Sequence, residues 1–403
     1  MTAPDDRSAL MGTYAPAPVV FASGSGSELF DVDGRRYLDF LGGIAVVALG
    51  HSHPAVTAAV VKQAARLSHV SNLFANELAA PLAEALDRLV GDGTPLGGQV
   101  FFANSGAEAN ECAIKLARRV GGRGRHVVVS AYGSFHGRTL ATLAATGQPQ
   151  KHEPFVPMPE GFRHVAYGDI EALESAADPT SVAAILLEPI QGEAGVVVPP
   201  HGYLAAVRKL CDEREILLLL DEIQTGLGRT GRWFDCQHEG VVPDILTSAK
   251  ALGNGMPIGA CWARREVADA YEPGDHGSTF GGQPLACAAA MATLTTMEEI
   301  DAPRLALERG SHLSEALREL DGVASVRGRG LLLGAVLEDD IDASALSGLA
   351  LSHGLVVNAP VPSVLRFAPA YTVTDDQSDE AAALLGQAIA DARRRAPRRE
   401  GAP

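Results

Sequence analysis

The sequence has few lysines, few aromatic residues, five cysteines and no long apolar run. Its net charge of −16 disfavours nucleic acid and anionic membranes as partners. The cysteines are scattered and never spaced as CxxC, which predicts no disulfide framework, no metal site and a reducing, cytoplasmic location. Because no apolar run could span a bilayer and no N-terminal signal segment is recognisable, neither a membrane anchor nor secretion is expected.

The remaining composition is that of a globular enzyme. The 403 residues are 46% hydrophobic and 20% charged, which suits two or three domains or one large α/β domain with a smaller partner. Helical patterns alternate with short apolar segments that predict buried strands at 99–103, 126–130, 183–187, 216–220 and 244–248. This alternation predicts a mostly parallel sheet covered by helices on both faces, with ligands bound beyond the carboxyl ends of its strands.

The two ends of the chain have a different pattern. Residues 28–40 alternate between apolar and polar and turn at Asp33 and Gly34, which predicts a hairpin. Toward the other end, helical patterns lie beside strand-like segments at 330–336 and 355–358, which indicate a second, smaller α+β lobe. Residues 393–403 are rich in arginine, proline and glycine and are expected to form a flexible tail.

Lys250 is the one lysine that closes a predicted strand, and a glycine-rich turn follows it. The other four lysines lie in helical patterns or, in the case of Lys151, in a polar loop. An amine held partly desolvated at a strand end is suited to act as a Schiff-base nucleophile. A surface lysine would give the same pattern, so the residues at the other strand ends must distinguish the two interpretations.

Two further loops at predicted strand ends offer binding groups. Ser105, Gly106 and Ala107 follow a strand and open a helix, so their backbone N–H groups and the helix dipole can bind an anion. Phe135 and Arg138 lie just beyond the next predicted strand. There a guanidinium can clamp a carboxylate and an aromatic ring can cover a flat ligand, although an ordinary surface loop is the alternative interpretation.

Asp221 ends a run of five apolar residues and therefore emerges from a central strand. A buried aspartate requires a cationic or hydrogen-bonding partner, which either a capped loop or a protonated ring nitrogen would supply. Together the anion site, Lys250, Asp221 and Phe135 match the phosphate, the aldehyde, the ring nitrogen and the ring face of pyridoxal 5′-phosphate. This conjunction predicts a pyridoxal-phosphate site.

These segments resemble the class III, fold-type I pyridoxal-phosphate-dependent aminotransferases, and most closely the N-acetylornithine aminotransferase group. The resemblance covers nearly the whole chain, and its matching stretches are residues 37–46, 104–110, 135–139, 188–193, 221–231, 250–259 and 276–284. It implies an α/β fold with a large domain around a mostly parallel central sheet and a smaller α+β domain formed by both chain ends. The implied boundaries are 1–50 for a segment joining the small domain, 51–292 for the large cofactor-binding domain and 293–392 for the rest of the small domain.

The resemblance also implies a role for each site residue. Lys250 and Asp221 are the catalytic pair: Lys250 forms the Schiff base with the cofactor and then carries protons, and Asp221 pairs with the pyridine nitrogen. The other implied cofactor contacts are Ser105, Gly106, Ala107, Phe135, Glu188, Gln224 and, from a neighbouring subunit, Thr279. The implied substrate contacts are Tyr14, Ile44, Arg138, Glu193 and Arg366. Because the Thr279 contact crosses an interface, the resemblance implies a homodimer with shared active sites.

Glu193 and Arg366 carry a separate hypothesis. Such an enzyme accepts an amine-ended first substrate and the diacid 2-oxoglutarate in one site. Arg366 resembles the family's second carboxylate-binding arginine, and Glu193 would neutralise it until 2-oxoglutarate binds. A buried guanidinium is costly when unpaired but cannot capture a carboxylate while paired, which favours a gate over a static ion pair.

The implied reaction moves the terminal amine of N2-acetylornithine to 2-oxoglutarate, a step of arginine biosynthesis, and forms glutamate. Val47, Gln283, Pro16 and Tyr371 depart from the acetylornithine pattern, and Tyr371 stands where that pattern has leucine. The departures leave ornithine, N-succinylornithine, succinyl-diaminopimelate and 4-aminobutyrate as alternative amines, whereas Ile44 favours the acetylornithine group over ornithine aminotransferase. A lyase, racemase or aminomutase is the remaining alternative, although a two-carboxylate gate has no obvious use in those reactions.

Overall fold

The structure is a computed structural model that describes residues 9–395. Its strands are β1 Phe21–Ser25, β2 Glu28–Asp31, β3 Arg36–Asp39, β4 Gln99–Ala103, β5 Val127–Ala131, β6 Phe162–Val165, β7 Val182–Leu187, β8 Leu217–Asp221, β9 Ile245–Ser248, β10 Gly259–Ala263, β11 Val323–Arg329, β12 Leu332–Leu337, β13 Leu355–Val356, β14 Asn358–Val361 and β15 Val364–Phe367. Its α-helices are α1 Gly42–Ala45, α2 Pro54–Ala64, α3 Ala79–Val90, α4 Gly106–Gly121, α5 Leu140–Ala145, α6 Pro149–His152, α7 Ile170–Ala176, α8 Tyr203–Arg214, α9 Arg265–Ala268, α10 Pro284–Glu299, α11 Ala302–Arg318, α12 Ala343–Ser352 and α13 Asp375–Arg395. Short 3-10 helices lie at Glu153–Phe155, Asp235–Glu239 and Lys250–Gly253.

A seven-stranded sheet forms the centre of the molecule, with the strand order β4-β10-β9-β8-β7-β5-β6. The neighbouring strands from β9 to β6 are parallel, and β10 is antiparallel to both β4 and β9. The predicted mostly parallel sheet is therefore confirmed. The inner strands β5, β7, β8 and β9 are buried along almost their whole length because helices cover both faces, which explains why their sequences are largely apolar.

The two faces of the sheet determine where the polar residues at its edge project. Leu219 packs with residues of α4, whereas Leu218 and Leu220 pack in the core on the opposite face. Since side chains of a strand alternate between faces, Asp221 lies on the α4 side, two residues after Leu219. Thr247 of β9 is paired in register with Asp221 and shares that face. The sheet thus brings two polar side chains to the start of α4.

Two four-stranded sheets are built from the chain ends. The first has the order β1-β2-β3-β13, so three N-terminal strands are completed by one from the C-terminal part. The predicted hairpin is confirmed as β2 and β3, where Asp31 Oδ1 accepts the N–H groups of Asp33 and Arg35 across the turn. The second sheet, β11-β12-β15-β14, is antiparallel and carries Arg366 on β15. The domain boundaries at residues 50 and 292 stay predictions.

Three local expectations differ from the structure. Lys250 does not close β9, because the strand ends at Ser248 and Lys250 begins a 3-10 helix. Residues 355–358 are not one strand: β13 and β14 join different sheets. Arg393 is not in a tail but in the last turn of α13, where it pairs with Asp321 and Glu338. Residues 396–403 of the expected tail lie outside the described residues.

Candidate active site

A cavity of about 390 Å³ opens at the carboxyl ends of the central strands. The predicted residues that line it are Ser105, Gly106, Ala107, Phe135, Arg138, Glu188, Glu193, Asp221, Gln224 and Lys250. They come from the ends of β4, β5, β7, β8 and β9 and from the loops that follow these strands. Because parallel strands end at one edge, residues from five separate stretches of sequence meet in this space.

The start of α4 forms one wall of the cavity. Ser105 is the N-cap of this 16-residue helix, and its Oγ accepts the Glu108 N–H at 3.2 Å. Glu108 reaches back and accepts the N–H of Asn104 at 2.8 Å. A side chain at Gly106 would approach Ile223 Cδ1 at 2.6 Å, so the helix begins close against the loop after β8. First-turn N–H groups lack partners within a helix, and this wall is therefore suited to an anion.

Asp221 is buried and held by three hydrogen-bond donors. Its Oδ2 accepts from Asn110 Nδ2 and from His136 Nδ1, each at 2.8 Å, and its Oδ1 accepts from the Ile223 N–H at 3.1 Å. Asn110 is in turn fixed by the Thr247 hydroxyl, which donates to Asn110 Oδ1 at 2.8 Å. These donors hold the Asp221 carboxyl group in one orientation at the cavity wall.

Lys250 is half-buried and lines the cavity. Its φ of 42° lies in the left-handed region, which costs a non-glycine residue on the order of 1–3 kcal/mol, so the turn after β9 is held by its surroundings. Burial lowers the pKa of the Lys250 amine to about 8, and the positive charge of Arg366 acts in the same direction. The negative charges of Glu193 and Asp221 oppose this shift.

Glu188 is a buried carboxyl group on the loop after β7. Burial raises its pKa well above the ordinary value, and the negative charge of Asp221 adds to this effect. The Phe135 N–H donates to Glu188 Oε2 at 2.9 Å. Glu188 therefore fixes the backbone that carries the Phe135 ring.

Glu193 and Arg366 form the ion pair that the sequence predicts. Arg366 is fully buried, and its Nη1 donates to Glu193 Oε1 at 2.6 Å and to Gln224 Oε1 at 3.2 Å. Its Nε donates to Asn358 Oδ1 at 3.1 Å, while Nη2 is buried without a hydrogen-bond partner among the described residues. Burial acts to raise the pKa of Glu193, but the charge and hydrogen bond of Arg366, together with the charges of Lys250 and Lys151, lower the pKa overall. The guanidinium therefore retains one donor that the ion pair does not use.

Two cations lie near the Phe135 ring. Arg138 Cζ is 5.7 Å from the ring centroid and Lys151 Nζ is 5.5 Å from it. Lys151, which the sequence placed in a polar loop, belongs to the short helix α6. Burial lowers the pKa of Lys151, and the charge of Arg138 acts in the same direction. This side of the cavity is positive and is suited to a substrate carboxylate.

Four predicted site residues do not line the cavity within the single chain. Arg366 is fully buried and is separated from the cavity by its contacts with Glu193 and Gln224, both of which line it. Tyr14 is 83% exposed, Ile44 is 37% exposed and Thr279 is exposed. Ile44 has a φ of 67°, and the neighbouring Val46 lines the cavity instead.

Sequence reasoning assigned no role to Asn110 or His136, although both lie in stretches that carry the family resemblance. Asn110 is fully buried on the inner face of α4, between apolar residues such as Ala109 and Ala113. A polar residue on the apolar side of a helix is the signal that could have identified it. His136 was missed because its neighbour Phe135, an aromatic residue suited to cover a flat ligand, attracted the functional assignment in that loop.

Residues 9–395 contain neither a cluster suited to a metal ion nor a helix suited to crossing a membrane. Among these residues, no three His, Cys, Asp or Glu side chains are grouped in a way that could hold a metal ion. Within the same range, none of the helices combines the length and apolar character needed to cross a membrane.

Comparison with known proteins gives consistent matches. The family described as aminotransferase class-III matches residues 11–389. The acetylornithine aminotransferase of Corynebacterium efficiens is 48% identical over 387 residues, which is 95% of each chain. A solved ornithine aminotransferase of Toxoplasma gondii, with partial occupancy of pyridoxal phosphate at its active site, has a TM-score of 0.90 at 35% identity and covers 96% of this chain and 94% of its own. The N-acetylornithine aminotransferase of Stenotrophomonas maltophilia has a TM-score of 0.81 at 38% identity, covering 94% of this chain and 97% of its own.

These matches extend over nearly the full length of both partners, so they include the central sheet and the strands built from the chain ends. The α/β, fold-type I class predicted from the sequence is confirmed. The chain belongs to the class-III aminotransferases.

Proposed function

We propose that the protein is a pyridoxal-phosphate-dependent aminotransferase that moves the terminal amine of N2-acetylornithine to 2-oxoglutarate in arginine biosynthesis. The Glu193–Arg366 ion pair, in the same site as Lys250, is the observation that carries the proposal. A site that alternates between an amine-ended and a diacid substrate needs a cation that can be either paired or free. The acetylornithine aminotransferases of C. efficiens and S. maltophilia support the choice of amine.

The residues at the cavity fit pyridoxal phosphate. The N–H groups at the start of α4 would hold its phosphate, Asp221 its pyridine nitrogen and Phe135 one face of its ring. Fixed by three donors, Asp221 is prepared to stabilise a protonated nitrogen without rearranging. When bound, the cofactor supplies an aldehyde that reacts with amines and a ring that accepts an electron pair.

Lys250 would do its chemistry at Nζ. With a pKa of about 8, this amine is protonated in most molecules at neutral pH and neutral in a useful fraction of them. A group whose pKa lies near the working pH is well suited to take a proton from carbon and to return it elsewhere. Burial, which lowers this pKa, also keeps bulk water away from the proton in transit.

The two arginines divide the recognition of carboxylates. Arg138, beside the Phe135 ring, would bind the carboxylate distant from the reacting amine. Arg366 would be held by Glu193 while an amine-ended substrate is bound and would be released to bind the second carboxylate of 2-oxoglutarate. Its unpartnered Nη2 supports this role, because an incoming carboxylate would satisfy a buried donor that is otherwise unpaired.

The proposal includes a cytoplasmic homodimer with shared active sites. Thr279 is exposed in the single chain and lies beside Phe280, whose large apolar side chain is also exposed. An interface that covers this segment would bury the apolar ring and bring Thr279 to the phosphate of a partner's cofactor. The five free cysteines are all buried and unpaired, which supports a reducing compartment.

Four residues depart from the acetylornithine pattern, and the test of the substrate therefore includes related amines. Val47 lies beside Gly255, which lines the cavity. Pro16 is exposed, and Gln283 Oε1 accepts a hydrogen bond from the Val70 N–H. The high similarity to the T. gondii ornithine aminotransferase makes ornithine the first competitor.

The decisive experiment compares amines with the purified holoenzyme and 2-oxoglutarate. N-Acetylornithine should form glutamate with a higher kcat/KM than ornithine, N-succinylornithine, succinyl-diaminopimelate or 4-aminobutyrate. A higher kcat/KM with another of these amines would contradict the proposed substrate but not the proposed transamination reaction. Failure of glutamate to convert the cofactor to its pyridoxamine form would overturn transamination itself and favour a lyase, racemase or aminomutase.

A further inference from the structure

Tyr371 departs from the acetylornithine pattern, and the structure gives it a defined set of contacts. Its side chain is fully buried, and its hydroxyl donates to the Leu227 carbonyl at 2.8 Å. Its backbone N–H donates to the Ala48 carbonyl at 2.7 Å. One residue thus ties the segment after β15 to the loop after β8 and to the N-terminal segment.

The Tyr371 ring also covers a buried cation. Arg229 Cζ lies 4.6 Å from the ring centroid, within the range of a cation–π contact. Arg229 Nη1 donates to the Pro369 carbonyl at 2.5 Å and to the Leu331 carbonyl at 3.2 Å, but its Nε and Nη2 have no hydrogen-bond partner among the described residues. Because no carboxylate in residues 9–395 pairs with Arg229, the ring face and the carbonyls compensate its charge.

The loop after β8 and the segment that contains Arg366 and Tyr371 are connected at two places. The Tyr371 and Arg229 contacts are one of them. At the other place, Arg366 Nη1 donates to Gln224 Oε1 at 3.2 Å. Leu227 comes three residues after Gln224, and Pro369 comes three residues after Arg366. The Tyr371 and Arg229 contacts therefore hold the loop after β8 at a fixed distance from the segment that carries the Arg366 guanidinium.

We propose that Tyr371 is a positioning residue for Arg366 and thereby determines the affinity for diacid substrates. The inference rests on the proposed function, in which Arg366 receives a carboxylate of 2-oxoglutarate. A leucine at this position would supply neither the hydroxyl for Leu227 nor the ring face for Arg229. The loop after β8 would then relax, and Gln224 would no longer hold the guanidinium in place.

The test uses Tyr371→Leu and Tyr371→Phe in the holoenzyme. One readout is the dissociation constant of glutarate, a diacid that cannot react, measured from the change in cofactor absorbance. The other is KM for 2-oxoglutarate compared with KM for the amine. Tyr371→Leu should weaken glutarate binding and raise KM for 2-oxoglutarate by about tenfold, and Tyr371→Phe, which keeps the ring, by about threefold. KM for the amine should change by less than about twofold, because the amine-ended substrate leaves Arg366 paired with Glu193.

Tyr203 provides the matched control. It is 4% exposed, lies on α8 and packs its ring against Tyr167, and its hydroxyl has no hydrogen-bond partner among the described residues. Tyr203→Leu and Tyr203→Phe should leave the ratio of the two KM values unchanged even where the melting temperature falls.

Equal changes in both KM values for Tyr371→Leu, or a lower melting temperature alone, would overturn the positioning role. If Tyr371→Leu fails to fold, Tyr371→Phe decides by the same ratio. The two proposals fail separately. If glutamate does not convert the cofactor of the wild-type holoenzyme to its pyridoxamine form, the proposed function is contradicted. One that transaminates normally, but whose Tyr371 variants lack the diacid-selective effect, contradicts only this inference.

Discussion

The lowered pKa of Lys250 predicts how the apoenzyme captures its cofactor as pH changes. Only a neutral amine attacks an aldehyde, so the rate follows the neutral fraction of Nζ. With the pKa at about 8, roughly 9% of the amine is neutral at pH 7, against about 0.03% for an ordinary lysine at 10.5, an advantage of about 300-fold. Between pH 7 and pH 9 the rate should rise about tenfold and approach a plateau.

The assay mixes apoenzyme with pyridoxal phosphate in a stopped-flow instrument and follows the absorbance of the lysine-bound cofactor from pH 6.5 to 10. N-α-Acetyllysine serves as the reference amine, because the ionisations of the cofactor affect both reactions equally. The rate of acetyllysine should rise about a hundredfold between pH 7 and pH 9, because the pH stays well below the pKa of its amine, about 10.5, over that range. The ratio of enzyme to reference should therefore fall about tenfold over the same interval.

Glu193→Gln tests the electrostatic part of this reasoning. The Glu193 carboxylate acts to raise the Lys250 pKa, so its removal should move the midpoint of the capture profile to lower pH. Glu308→Gln, which removes the same charge from an exposed ion pair with Arg304 on α11, should leave the midpoint unchanged. A profile that runs parallel to acetyllysine, or a midpoint near 10.5, would refute the claim that the protein desolvates this amine.

Three further predictions concern the cofactor site. Lys250→Ala should abolish both the absorbance band of the lysine-bound cofactor and steady-state turnover; an unchanged spectrum would point to a different lysine. Asn110→Ala removes one charged hydrogen bond from Asp221 and should weaken cofactor binding by about ten- to a hundredfold in an equilibrium titration; an unchanged affinity would show that the remaining donors suffice. Thr279→Ala protein mixed with Lys250→Ala protein under subunit exchange should regain cofactor affinity at one site per dimer; no gain on mixing would contradict a shared site.

The sequence predicted the central sheet because its physical signal is local. Buried parallel strands must be apolar along their whole length, and Asp221 stands out as the first charge after such a run. β10 escaped prediction: Gly259, Ala260 and Cys261 lack the β-branched character that marks a strand, and only its two neighbours explain its conformation. Tertiary pairing there overrides local preference.

The candidate site was predictable where a residue type is itself improbable in its setting. A lysine after a buried strand and a carboxylate at the end of an apolar run are such cases. Asn110 and Tyr371 were harder, because each works through a neighbour rather than through the cavity. The partner of Arg229 is the face of a ring from a distant segment, which no spacing rule within a sequence could identify.

The pairing of β13 with β3 has a consequence for the order in which the protein is completed during synthesis. Leu38 and Leu355 are neighbours in one sheet although most of the chain separates them. The N-terminal strands leave the ribosome first and must wait for residue 355 before their sheet gains its fourth strand. Arg366 is synthesised later still, so its ion pair with Glu193 is among the last contacts of the site to form. A chain that stops before residue 355 would display β3 as an unpaired edge, open to association with other incomplete chains.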